Sequence, residues 1–279
     1  MLTLLVFLQV ASKSIPNVST LTGRKKLSDY PNSNSSKQPA LFDHAKWNTV
    51  LKRHVTVGAG ISGDVSGINL VDYAGVTADD DFSQYLVQLE EADVAKLQPA
   101  EQLAFWMNAY NALCINLIIQ HEKNNNVKIG SINELTTENN PVWDQVAGKV
   151  AGDEISLNNI EHDQLRKVWD EPLLHACIVC ASASCPNLRP EAFVVSKLKE
   201  QMEDQMRLWM KNDSKGIKLT DNSLELSRIF LWFGADFGEW KGIQKFLPQH
   251  IEDADLKARV ADGNVSVRYF EYGWQINRA

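Results

Sequence analysis

Pro99-Ala-Glu-Gln-Leu-Ala-Phe-Trp-Met-Asn-Ala-Tyr-Asn-Ala-Leu-Cys-Ile-Asn-Leu-Ile-Ile-Gln120 is the stretch on which the fold turns. Leu103, Trp106, Tyr110, Leu113 and Leu117 recur at helical spacing. Phe105, Ile115, Ile118 and Ile119 fall on other faces, so only a thin sector with Gln102, Asn116 and Gln120 is wet. A helix that is apolar nearly all round is buried among other elements. Pro99 suits the first helical position, and Glu101 complements the positive end of the helix dipole.

Outward from this helix the signals are shorter. Phe42 to Val57 has helical apolar spacing, and Gly58 to Gly63 reads as a flexible turn, with no strand-to-helix context for a dinucleotide fingerprint. Val71 to Tyr73 reads as a short strand and Phe82 to Leu89 as a helix. A hairpin is expected around Ala151-Gly152-Asp153. Ser156 or Asn158 can cap a helix reaching Trp169. His175 to Cys180 is expected to be a buried strand, on which alternation turns Cys180 away from His175, Cys177 and Val179. Val195 to Met210 is amphipathic, and Ile217 to Leu226 reads as a hairpin turning at Asp221-Asn222. Ser227 caps Arg228 to Phe233, with Gly234 as the stop. Two short helices, near Trp240–Phe246 and Asp253–Ala261, precede a strand at Val265–Phe270. The class is α+β: a helix-rich single domain with a central buried helix and a small, mainly antiparallel sheet.

With 44% hydrophobic and 23% charged residues among 279, the chain has enough apolar material for a sizeable core. A net charge of -7 makes nucleic acid or an anionic membrane a poor partner. The run Leu2 to Val10 is too short to span a bilayer and resembles the apolar region of a secretory signal, with Val10-Ala11-Ser12 as a cleavage site. It lacks a basic stretch ahead of it. Residues 1–11 are thus expected to direct export (periplasmic or secreted), and 12–40, rich in Ser, Asn, Lys and Pro, to form a disordered spacer. The globular domain is expected over 41–279, with no stable membrane insertion once the signal is removed.

Three groups of residues bear chemistry. Asn108 and Asn111 lie about 60° apart on the central helix, and must either bond loop backbone or line a polar pocket, because a buried amide without a partner costs about 1–3 kcal/mol. Glu161 shares a helical stripe with Leu157, Leu165 and Val168, and His162 lies one turn from Arg166. They form either a structural pair or a carboxylate orienting a catalytic imidazole. The densest group is His175-Ala-Cys-Ile-Val-Cys-Ala-Ser-Ala-Ser-Cys-Pro186. Its small residues allow inward-turned amides able to hold an anion, and Cys185 would gain thiolate character if Pro186 begins a helical turn. Cys180 and Cys185 are open to three readings: a local disulfide, a nucleophile served by His175 or His162, or part of a His/Cys metal site. Cys177 and Cys180 alone do not supply a zinc ligand set.

The segments Glu101 to Ala112, Ile160 to Arg166, His175 through Cys180 to Pro186, Leu226 to Phe233 with Asp236-Phe237, and Tyr269 to Asn277 together resemble the family catalogued as domain of unknown function 547. The resemblance covers roughly Phe42 to Asn277. It implies a bacterial-type exported domain and transfers no reaction. This chain departs from the family in having Tyr272-Gly273-Trp274 where Tyr-Asp-Trp is usual, and in placing Cys177 where a small or apolar residue is usual.

The leading expectation is a thiol-dependent hydrolase or acyltransferase acting on an amide or ester. Its catalytic candidates are Cys180, Cys185, His175, His162 and Glu161; its binding candidates are Asn108, Tyr110, Asn111, Arg166 and Ser184. No cofactor is implied, and the partner is an unspecified small molecule or peptide. The alternatives are a non-catalytic binding module with a Cys180–Cys185 disulfide and, behind it, a metal-binding protein.

Overall fold

A computed structural model describes Pro16, Val18 and residues 21–30, 42–220 and 223–279. The signal-like run 1–11 and the turn at Asp221-Asn222 lie outside the described residues. From the N-terminal side, α1 (Ala45–His54) runs directly into the antiparallel hairpin β1 (Val55–Ser62) and β2 (Val65–Val71). Then come α2 (Tyr73–Thr77), α3 (Asp80–Glu90) and the 27-residue α4 (Pro99–Asn125). The hairpin β3 (Val146–Val150) and β4 (Asp153–Ser156) leads into a π-helix, Asn159–Arg166, and then into α5 (Leu174–Cys177) and α6 (Leu198–Met210). β5 (Ile217–Leu219) and β6 (Ser223–Leu226) are followed by α7 (Ile229–Trp232), α8 (Glu239–Phe246), α9 (Ala254–Asp262) and β7 (Ser266–Tyr269). The sheets are small: two hairpins and the three-stranded order β5-β6-β7, antiparallel except for the parallel β6–β7 pair. The fold is α+β and helix-rich.

α4 is the axis of the core. It is fully buried from Leu103 to Ile119, and the apolar cluster around it extends from Leu27 to Val260. Its start is fixed as the sequence suggested, with Pro99 in the first turn and a reciprocal Gln98–Glu101 capping box. Asn126 ends it in the left-handed conformation at φ 51°.

Several local expectations are corrected. Helix α1 stops at His54, and Val55 begins a strand that carries the Gly58–Gly60 stretch through a bulge, so the glycines permit a twisted strand and the turn itself sits at Gly63-Asp64. Val71 ends β2, while Asp72 caps α2 by accepting the Gly75 N–H. His175 lies on the short helix α5, so the strand alternation that turned Cys180 away from it does not apply. Gly234 does not stop the chain but opens a 3-10 turn, Gly234–Phe237. Within the expected spacer, residues 21–30 are ordered along the domain: Lys25 bridges Trp169, Arg24 pairs with Asp170 at 2.8 Å, and Leu27 is buried.

Asn108 and Asn111 use both ends of their amides on backbone. Asn108 donates to the Phe193 carbonyl and accepts the Phe193 N–H at 2.8 and 3.0 Å. Asn111 donates to the Cys177 carbonyl and accepts the Val179 N–H at 2.9 and 2.8 Å. The second clamp ties the segment leading to Cys180 onto the core helix. Replacing Asn111 with Leu leaves a buried carbonyl and a buried N–H without their partner, and is expected to lower stability by about 1–3 kcal/mol. Urea unfolding of the variant checks this, and a loss within error of zero would contradict it.

Candidate active site

Four elements and the C-terminal segment converge on a cleft of about 110 Å³. Tyr110 enters it from α4, Glu161 and His162 from the π-helix, and His175 from α5. Ile178, Cys180 and Cys185 enter from the loop after α5. Trp143 and Asn158 close one side; Ile229, Trp232 and Phe233 come from α7 and its end, and Tyr272 and Trp274 from the C-terminal segment. Of the residues expected from sequence to catalyse, all five line this one space.

The π-helix explains how Glu161 and His162 both reach it. With the i→i+5 bond from Lys167 N–H to the His162 carbonyl at 3.0 Å, the helix widens, and neighbouring residues share a face that ordinary helical spacing would split. Glu161 has one named partner, the Tyr110 hydroxyl, which donates to Oε2 at 3.4 Å. Burial in this apolar setting pushes its carboxyl up to about 7, against the opposing pull of Arg166.

Behind the cleft lies a charged network. Arg166 donates through Nε and Nη2 to the two oxygens of Asp236 at 2.6 and 3.0 Å, and through Nη1 to His162 Nδ1 at 3.0 Å. His175 Nε2 meets Asp236 Oδ2 at 2.7 Å. Despite its burial, the Asp236 carboxyl is held well below the usual carboxylate range by its bonds to His175 and Arg166. Burial lowers the His175 pKa, with Asp236 opposing, and takes His162 down to about 4, assisted by the Arg166 charge. Both imidazoles are therefore neutral at pH 7. His175 donates its Nε2 proton to Asp236, which leaves its Nδ1 as the basic nitrogen. The sequence marks Asp236 only through the family resemblance and gives it no role; its signal is a lone acid inside the aromatic stretch Ile229 to Phe237.

The thiols separate sharply. Cys180 has its sulfur 3.4 Å from Ser182 Oγ and 3.5 Å from the Tyr272 hydroxyl, and its own N–H donates to the Cys185 sulfur at 3.2 Å. Hydrogen bonding from Cys185, Ser182 and Tyr272 outweighs burial and brings the Cys180 thiol down to about 6, while burial pushes Cys185 well up. The thiolate character expected for Cys185 thus falls on Cys180, because the Cys185 N–H turns back to the Ser182 carbonyl and no helix starts at Pro186. Ala181, next to Cys180, takes φ 62°, a left-handed conformation costly for a residue with a Cβ. All four cysteines are free.

The loop keeps few amides for a ligand, and the Ser182 N–H meets the Cys180 sulfur. The N–H groups of Val179, Cys180, Ala183, Ser184 and Cys185 are bonded to Asn111, the Cys185 sulfur and the carbonyls of Gln275, Gly273 and Ser182. Ser184 is not on the cleft; its Oγ accepts the Gly273 N–H at 2.8 Å. Asn108 and Asn111 are backbone clamps, and Arg166 is enclosed behind the wall, so these candidates position the site without touching its space. Cys177 is sealed in the core, donating to the Leu173 carbonyl at 3.3 Å. Among the described residues no cluster of three or more His, Cys, Asp or Glu is placed to hold a metal ion.

The aromatic wall was not anticipated. Trp232 and Trp274 stack with centroids 5.8 Å apart and planes 23° from parallel, and Tyr272 packs on both at 4.8 and 4.6 Å. The segment bearing Tyr272 and Trp274 is pinned on either side: Ser182 pairs with Ile276, Ser131 with Gln275, and Val71 with Arg278.

A family model described as "Protein of unknown function, DUF547" matches residues 94–210. The chain resembles that family over a region that holds Tyr110, Glu161, His162, His175, Cys180 and Cys185. Asp236 and the wall from Trp232 to Trp274 lie beyond it. No curated protein and no solved structure matches the chain. Among the described residues no helix is long and apolar enough to cross a membrane.

The neutral histidines set an acid limit. Four of them have folded pKa values below the usual 6.5: His44, His162 and His250 at about 4, and His175 lowered by burial. Below pH 6.5 the unfolded chain takes up these protons first, so stability falls as pH drops toward 4. Glu161 and Glu171, both raised to about 7, oppose this, because the folded chain holds their protons between pH 4.5 and 7. The histidines outnumber them, so the midpoint of thermal unfolding is expected to fall steadily from pH 6.5 to pH 4. A midpoint flat or rising over that range would contradict the neutral network.

Proposed function

We propose that the protein is a thiol-dependent hydrolase or acyltransferase whose nucleophile is Cys180. The observation that carries this is the meeting, in one cleft, of a thiol with a depressed pKa, a carboxyl poised near neutrality and an imidazole anchored by a buried carboxylate. The Cys180 thiolate attacks the carbonyl carbon of an ester or amide. The developing oxyanion meets the Tyr272 hydroxyl and the Ser182 N–H, both beside the sulfur. Glu161 delivers its proton to the leaving group. Water then attacks the thioester with His175 Nδ1 as base; the C–S bond breaks to release the acid and the Cys180 thiolate, and the proton held on the imidazolium beside Asp236 returns to Glu161. In a transferase, an acceptor amine or alcohol takes the place of that water.

The lining also limits the substrate. Aromatic and aliphatic side chains dominate, no Lys or Arg among the described residues lines the cleft, and its ionisable groups are acids and neutral imidazoles. Such a space favours an uncharged acyl group and disfavours an anionic one, which would lose its hydration without gaining a counter-charge.

Alkylation of the protein by iodoacetamide tests the reading. Cys180 is expected to react first of the four cysteines, with a pH midpoint near 6. Iodoacetate is expected to react at least about tenfold more slowly, relative to its rate with a free thiol, as for roughly 1.4 kcal/mol of charge discrimination. Slow Cys180 alkylation with a midpoint near that of an ordinary thiol would sink the catalytic reading. A Cys180–Cys185 bond found by mass spectrometry in the native protein would favour the binding module instead.

Export is part of the proposal, supported by the apolar run Leu2–Val10 and the small residues after it. Sequencing the N-terminus of protein produced in its own cell is expected to find a start just after Ala11 or Ser12. A product retaining Met1 would contradict export by cleavage.

A further inference from the structure

Lys215, between α6 and β5, is among the most enclosed charged residues described, at 2% exposure. Its Nζ donates to the Ala183 carbonyl at 3.1 Å and to Asn187 Oδ1 at 2.7 Å, both neutral acceptors. Among the described residues no carboxylate lies within ion-pair distance of it. An enclosed ammonium met only by carbonyls is costly, and retaining its charge requires an anion nearby. Ala183 belongs to the loop between Cys180 and Cys185, so Lys215, which is not part of the cleft lining, holds that loop.

The electrostatic surroundings complete the argument. Burial lowers the Lys215 pKa to about 8, and the partners that oppose this are the thiols of Cys185 and Cys180. The other titratable groups that interact with the Cys180 charge are Tyr272, Glu161, Tyr110, Cys114 and Tyr73, from the C-terminal segment, the π-helix, α4 and α2. All of these are acids, whose charged forms would work against a thiolate. Lys215 supplies a charge of the opposite sign, and at pH 7 it remains largely protonated.

We propose that Lys215 is a positioning residue for the nucleophile: by holding the Ala183 carbonyl it fixes the loop that sets the Ser182 hydroxyl against the Cys180 sulfur, and its ammonium adds a charge of the sign that favours the thiolate. The inference rests on the assignment of Cys180 as a thiolate, and its test separates the two. Cys180 alkylation by iodoacetamide is followed from pH 4.5 to 9 in the unaltered protein, in Lys215→Met and in Lys215→Arg, with circular dichroism confirming that each is folded. Lys215→Met is expected to raise the Cys180 midpoint by about one pH unit or more, a tenfold loss of thiolate on the acid side. Lys215→Arg, which keeps the charge, is expected to hold the midpoint within a few tenths of a unit of the unaltered protein.

A folded Lys215→Met with an unmoved midpoint would overturn this inference while leaving the Cys180 proposal intact. A midpoint already near that of an ordinary thiol in the unaltered protein would overturn both. If Lys215→Met does not fold, Lys215→Arg decides in its place: a midpoint raised as far as an ordinary thiol despite the retained charge overturns the electrostatic role.

Discussion

Arg166 is enclosed to 1% exposure, and an enclosed guanidinium must have its charge and its donors met by the surrounding chain. Asp236 does most of this, taking two of its bonds, and the same carboxylate anchors His175. The junction therefore ties three distant parts of the sequence: the π-helix, the turn after α7 and the short helix α5. Removing one partner of such a buried pair costs about 3–5 kcal/mol, because the other is left charged and unmatched. Phe233 covers both cationic and imidazole faces, with its ring 4.8 Å from the Arg166 guanidinium and 4.5 Å from His175. Burial of the network keeps both histidines in their neutral form at pH 7.

The cleft follows from that junction. With His175 fixed behind it and Asn111 clamping Cys177 and Val179 to α4, the chain emerging at Cys180 has little freedom. Ala181 then turns through the left-handed region, and the C-terminal segment pairs with Ser182. The result places a sulfur among hydroxyl donors, beside a carboxyl that burial has made a weak acid. The environment therefore pushes two acids in opposite directions: the thiol becomes easier to ionise and the carboxyl harder. That divergence suits one group to attack and the other to donate a proton.

Much of the fold was legible because α4 has only a thin polar sector; its start, its N-terminal cap and its central place followed from side-chain pattern, while the helix runs on past Gln120 to Asn125. The five catalytic candidates also converge, since their segments carry polar groups in otherwise apolar surroundings. The losses are physical in origin. A π-helix and a four-residue helix have no periodicity long enough to detect, so the facing of Cys180 relative to His175 was misjudged, and the widened turn that brings Glu161 and His162 to one space was not foreseen. Asp236 owes its role to a partner 70 residues away, which local pattern does not encode. The aromatic wall combines residues from α7 with residues near the C-terminus, and only tertiary pairing brings them together. The amides of the thiol loop were expected to turn inward to hold an anion, yet pairing with the C-terminal segment takes those of Ala183 and Ser184.

The central claim is that a buried carboxylate fixes one neutral tautomer of His175 behind a reactive thiol. Nitrogen-15 NMR of the imidazole rings tests it most directly. The account predicts that His175 is neutral at pH 7 and titrates only below the usual 6.5, with the proton on Nε2 and a bare Nδ1. A His175 ring that titrates near 6.5, or that carries its proton on Nδ1, would contradict it.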